Sequence, residues 1–192
     1  MSRDADASSE FHASHTGSNA DRTGANRIMN AAEAKNLCDH VLWLLDCESA
    51  HLGFTAAVSD LPVKLRGATV KGIPHSTWQL IEHMRIAQRD ILDYCRIRDH
   101  VSPSHPDGYW PARSSPPSAA AWERGIAQFR TDLKAVMRLV RTNAPNLMEP
   151  IPHAPEVTLL TEALLVADHN AYHLGQLVML RRALGAWGRR RP

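Results

Sequence analysis

The sequence predicts an all-α protein built as a four-helix bundle with long interhelix connectors. Three observations carry that expectation. Apolar residues recur at helical spacing in four separate segments. Each segment is bounded by capping residues or by proline and glycine. No Asn-Gly or similar turn between alternating runs announces a β-hairpin anywhere.

The first thirty residues, MSRDADASSEFHASHTGSNADRTGANRIMN, are rich in Ser, Ala, Asp, Asn and Gly and poor in large apolar side chains. Such a segment cannot offset its ordering entropy by burial, so residues 1–29 are expected to be a disordered leader, with Met29 an alternative start. The apolar run of a secretory signal is missing, and no stretch approaches the ~18 apolar residues of a membrane span. The first helix is expected from Asn30 to Val58, with Leu37, Val41, Leu44, Leu45, Leu52 and Val58 on its apolar stripe, ending before Pro62.

After a connector containing Gly67, Gly72 and Pro74, Ser76 and Gln79 form a capping box that opens the second helix, STWQLIEHMRIAQRDILDYCRIR. A Pro- and Ser-rich connector follows, DHVSPSHPDGYWPARSSPPS. At ~20 residues it is long for a compact domain, and such loops often pack over a site. Its Tyr109-Trp110 pair either caps a pocket or pins the loop to the bundle. The third helix, SAAAWERGIAQFRTDLKAVMRLVRT, carries the stripe Trp122, Ile126, Phe129, Leu133, Val136. Four prolines mark Asn143 to Pro155 as a turn region, and the last helix runs from about Thr158 to a stop at Gly185. The bundle is thus expected over residues 30–188, with a basic tail at 189–192.

Composition narrows the function classes. Hydrophobic residues are 44% and charged residues 22% of 192, ordinary for a globular chain, and a net charge of +2 gives no footprint for nucleic acid. Three cysteines, Cys38, Cys47 and Cys95, cannot all pair and show no C-x-x-C spacing. A reducing, cytoplasmic location is the expectation.

The chemistry concentrates in the last helix. DHNAYHLGQL, from Asp168 to Leu177, interrupts an apolar segment with polar groups. His169 and His173 stand at i, i+4, on one face and about one turn (~6 Å of rise) apart, where two imidazoles can chelate one divalent ion. Gln176 continues the stripe, and Tyr172 is placed near it. On the second helix His83 lies on the buried stripe Leu80, His83, Ala87, Ile91, Tyr94. Three inward imidazoles must each find partners for their ring nitrogens, and a metal satisfies three at once. Three protein ligands with a position left open is the pattern of catalytic zinc, and Ni, Fe or Mn suit the same donors. The zinc-protease pattern H-E-x-x-H is missing, and the two Glu-x-x-His pairs of a di-iron bundle are reduced to one, Glu48 to His51. Asp168 and Glu82 each adjoin a ligand and should point ~100° away from it. Asp90 either orients a ligand or forms a surface salt bridge.

IPHSTWQLIEHMRIAQRDILDYCR and LTEALLVADHNAYHLGQLVMLRRALGAW together resemble the DinB-like (DinB/YfiT-like) superfamily of metalloenzymes, over roughly residues 30 to 188. The family's single histidine on helix two and its H-x-x-x-H pair on the last helix fall on His83, His169 and His173. The resemblance implies a bundle with a long crossover, frequent homodimers, and a small-molecule substrate. It also implies thiol-dependent chemistry in which the metal holds a low-molecular-weight thiol as its thiolate, the form that attacks electrophiles. Metal-dependent hydrolysis and a non-catalytic metal- or ligand-binding bundle remain the alternatives. Neither nucleic acid nor membrane is an expected partner.

Overall fold

A computed structural model describes residues 29–46 and 50–187. The expected leader, the basic tail and Glu48 of the Glu-x-x-His pair lie outside these, apart from Met29. The described chain is helical, as the periodicity requires. Its elements are α1 (Ala31–Leu45), α2 (Phe54–Val58), α3 (Thr77–Arg96), α4 (Ala119–Thr142), β1 (Pro150–Ile151), β2 (Ala154–Thr158) and α5 (Leu159–Ala183).

The helix starts follow local chemistry. Asn30 and Glu33 close a capping box on α1, and Ser76 and Gln79 close the expected one on α3. Ser118 and Thr158 cap α4 and α5 through their hydroxyls. Gly185, at φ +66, takes the left-handed conformation that ends α5.

Two expectations are corrected. The segment from Asn30 to Val58 is not one helix: α1 stops at Leu45, and Gly53 opens the separate short α2. Burial dictates the break. Phe54, Ala57 and Val58 turn into the core, where the Phe54 ring stacks on Phe129 at 3.9 Å between centroids. A continuous helix would carry them past the bundle. The second correction is the β1–β2 hairpin, antiparallel and irregular in register. It has no Asn-Gly turn to announce it; Ile151 and Ala154 pair because both are buried, and His153 ties the turn to α3 by donating from Nε2 to the Tyr94 carbonyl at 2.7 Å.

α1 packs on α4 and α5, and α3 packs on the same two helices, so α1 and α3 sit across a diagonal. The long connectors make this winding possible. The core divides into two apolar clusters along the bundle. One gathers Phe54, Trp78, Leu80, Met84, Trp122, Phe129, Leu174 and Leu177. The other gathers Cys38, Val41, Leu45, Ile91, Leu92, Val136, Val140 and Val166. Between them, along about two turns of α3 and one of α5, lie buried polar residues: His83, Gln88, Asp90, Asn170 and His173. Each must be hydrogen-bonded or ligated to be tolerated there. Gln88 donates to the Phe129 carbonyl at 2.8 Å, and Asn170 donates to Gln88 Oε1 at 2.9 Å, stitching α3, α4 and α5 together.

Candidate metal centre

The polar layer opens, on the side of α3 and α5, into a cluster of three imidazoles. His83 and His173 are buried and His169 is half-buried. The Nε2 atom of His83 lies 3.1 Å from that of His173 and 3.0 Å from that of His169. Among the described residues this is the group of His, Cys, Asp or Glu side chains whose donor atoms converge closely enough for one ion.

The outer ring nitrogens decide which atoms face inward. His83 Nδ1 sits 3.2 Å from the Tyr109 carbonyl oxygen, which only accepts, so the neutral ring carries its proton on Nδ1 and points the Nε2 lone pair into the cluster. His173 Nδ1 sits 2.8 Å from Gln176 Oε1, and the same reasoning leaves its Nε2 unprotonated. Two lone pairs facing each other at 3.1 Å repel unless a cation lies between them. Tetrahedral ligands at ~2.0–2.1 Å from a zinc ion stand about 3.3 Å apart, close to the spacing seen. The donor set therefore fits a divalent cation. Burial, followed by the neighbouring His173 and His83, lowers the His169 pKa to about 3, so this imidazole is neutral, the form that ligates.

The connector between α3 and α4 forms one wall. Trp110 stacks on His83 with 3.8 Å between centroids and 1° between planes, stacks on His75 at 3.7 Å, and meets His173 edge-on at 6.0 Å. The connector is fastened along one stripe of α3. Ser76 Oγ donates to the Ser114 carbonyl, Gln79 Nε2 donates to the Pro111 carbonyl at 3.2 Å, and His83 bonds Tyr109. Asp90 accepts from Tyr109 Oη and from His100 Nε2, each at 2.6 Å. Burial and the Asp90 carboxylate raise the Tyr109 pKa, which keeps the phenol protonated as the donor.

The sequence-derived candidates divide accordingly. His83, His169 and His173 come together, and Gln176 holds one of them from behind. Tyr172 is exposed (62%) and stands at the rim, its ring 4.9 Å from His173. Asp168 is exposed, as the helix angle requires, and Glu82 is engaged by Arg85 at 2.9 Å. Asn170 turns from the cluster yet is buried in the polar layer. Asp90 is no surface salt bridge: it is buried (5%) and binds the connector. Trp110 both packs on the core and walls the site. His75 and the Tyr109 carbonyl had no spacing signal to reveal them.

A groove of about 860 Å³ lies elsewhere, on the face of α5 that carries Leu174, Gly175, Val178 and Met179, opposite α2. It contains none of the three clustered histidines, and the donor chemistry rather than cavity size locates the site. No described helix is long and apolar enough to cross a membrane.

No curated protein and no solved structure is significantly similar to the chain. A family model described as the DinB superfamily matches residues 47–177, which include α3, the walled connector and all three histidines. With its helical architecture and its histidines on α3 and α5, this chain belongs to the DinB superfamily.

Proposed function

We propose that the protein is a metal-dependent enzyme in which His83, His169 and His173 hold a divalent ion (Zn, Ni, Fe or Mn), and that it transfers a low-molecular-weight thiol to an electrophilic small molecule. The carrying observation is the convergence of three imidazole nitrogens with no protein carboxylate among them. Three protein donors leave coordination room for an outside group. When bound, the ion supplies Lewis acidity that favours a thiol as its thiolate.

The chain's own groups divide the remaining work. Tyr109 and Gln176 orient two ligands through Nδ1, and Trp110 excludes water from one side of His83. The described cysteines supply no internal nucleophile: burial pushes the Cys95 pKa up to about 12 and raises that of Cys38. A thiol from outside the chain fits this better than a protein thiolate. Hydrolysis is the second reading. It is less favoured because a general base must lie within hydrogen-bond reach of its proton, and Asp168 and Glu82 are turned or paired elsewhere. A non-catalytic metal-binding bundle is the third.

We further infer a homodimer acting in the cytoplasm. Leu164, Tyr172 and Met179 are exposed along one face of α5, with Gly175 among them, where an added Cβ meets nothing. A second copy would cover this apolar stripe and bring its edge to the Tyr172 rim.

The test is elemental analysis of purified protein together with a panel of cellular thiols offered with a reactive electrophile. One ion per chain, and thiol adducts formed only by loaded protein, are expected. The double substitution His169→Ala, His173→Ala should abolish both. Metal content unchanged in that variant overturns the site, and four protein ligands with no exchangeable position overturn the enzyme reading.

A further inference from the structure

The three ligands are not equally supported. His169 and His173 share one helix, so their spacing follows from the backbone of α5 alone. His83 comes from another helix, and its ring orientation depends on the Tyr109 carbonyl, at the end of a single 3-10 turn, Asp107–Tyr109, in a long connector. Something must hold that carbonyl in register. Asp90, seven residues beyond His83 on α3, is ~10 Å further along the helix axis and does not reach the ligand itself. Tyr109 spans the interval. Its hydroxyl donates to Asp90 Oδ2 at 2.6 Å, while its carbonyl accepts from His83 Nδ1 at 3.2 Å. The other Asp90 oxygen takes His100 Nε2 at 2.6 Å, which anchors the connector at its start as well. Both carboxylate oxygens are thus committed to the connector, and the group is 5% exposed.

We propose that Asp90 is a positioning residue for the metal centre. It pins Tyr109 so that the Tyr109 carbonyl keeps His83 protonated on Nδ1, with Nε2 directed at the ion. This rests on the metal-site reading above. A buried carboxylate usually orients a metal-ligating histidine by direct contact; here the effect is relayed through one tyrosine, whose side chain and backbone perform separate tasks. Asparagine in place of Asp90 offers one acceptor for two donors and turns an N–H toward one of them. The connector register loosens, and the His83 ring loses its fixed partner.

The experiment compares wild type, Asp90→Asn and Tyr109→Phe by zinc affinity, by thermal stability of the metal-free chain, and by the ¹⁵N resonances of the histidine rings. Wild type should show His83 as the Nδ1–H tautomer. In Asp90→Asn that signature should become a tautomer mixture while His173, held by Gln176, keeps its own, and zinc affinity should fall roughly 10- to 100-fold. Tyr109→Phe, which removes one hydroxyl from a half-buried loop, should move both readouts the same way and decides the matter if Asp90→Asn does not fold. A loss of thermal stability with the His83 signature unchanged and zinc affinity within about twofold of wild type would overturn the proposal and leave Asp90 a loop anchor. Should wild type bind no zinc, the metal site fails, and the tautomer readout on the metal-free chain still decides the role of Asp90.

Discussion

Gln176 shows how little a single side chain has to do to matter at this site. It sits one turn after His173 and offers Oε1 to Nδ1 at 2.8 Å. Replacing it with leucine removes the acceptor while conserving bulk. Metal affinity should fall about tenfold, measured by competition with a chelator, with a stability cost near the ~1 kcal/mol of one hydrogen bond. Cys95 makes the opposite case, of a reactive group silenced by burial. With its pKa pushed up to about 12, roughly one molecule in 10⁴ carries the thiolate at pH 8. Alkylation of Cys95 in native protein at pH 8 should therefore be far slower than in the unfolded chain, as followed by peptide mass spectrometry. Equal rates would return a protein thiolate to consideration. The sign also sets a stability trend. The raised value favours the fold fully below the ordinary thiol pKa, and that contribution is lost as pH climbs from about 9 toward 12.

At the scale of elements, the polar layer between the two apolar clusters is the weak point. Asn170 donates to Gln88, and Gln88 donates to the Phe129 carbonyl, across three helices. Asn170→Leu leaves Gln88 Oε1 buried without its donor, and should cost about 1–3 kcal/mol in chemical denaturation. The residue next to a ligand would thus affect stability more than metal content, because its side chain belongs to the helix contact. The helix ends were readable because capping is local: Ser76 and Gln79 stand three residues apart and meet whatever the rest of the chain does. The α1–α2 break was not readable. Leu52 and Val58 continue the helical period, and only the burial of Phe54 against Phe129, far along the chain, favours a separate turn. The hairpin was hidden for a similar reason, since its pairing depends on buried Ile151 and Ala154 rather than on turn chemistry.

For the molecule as a whole, a metal bound as proposed would link two helices as well as supply chemistry. An ion held by α3 and α5 would bind the folded chain in preference to the unfolded one and so stabilise it by mass action. At free zinc ~100 times the dissociation constant the gain is about 2.7 kcal/mol, and Tm should rise by several degrees. Chelation should reverse the rise, and the His169→Ala, His173→Ala variant should show none. An unchanged Tm across a zinc titration that fills the site would mean that the ion also binds the unfolded chain comparably.

The sequence by itself determined the helical periods, the capping box that starts α3, and the three histidines that converge. These follow from repeats of three and four residues, which a helix converts into a face regardless of its surroundings. Tertiary structure decided the rest of the site. Whether Trp110 capped or pinned, and whether Asp90 faced solvent or core, depended on how an irregular connector is laid along α3. A connector has no period to read. Its carbonyls and rings acquire partners only when the helices beneath it are in place, so His83 could be named from its spacing, while the groups that hold it in position could not.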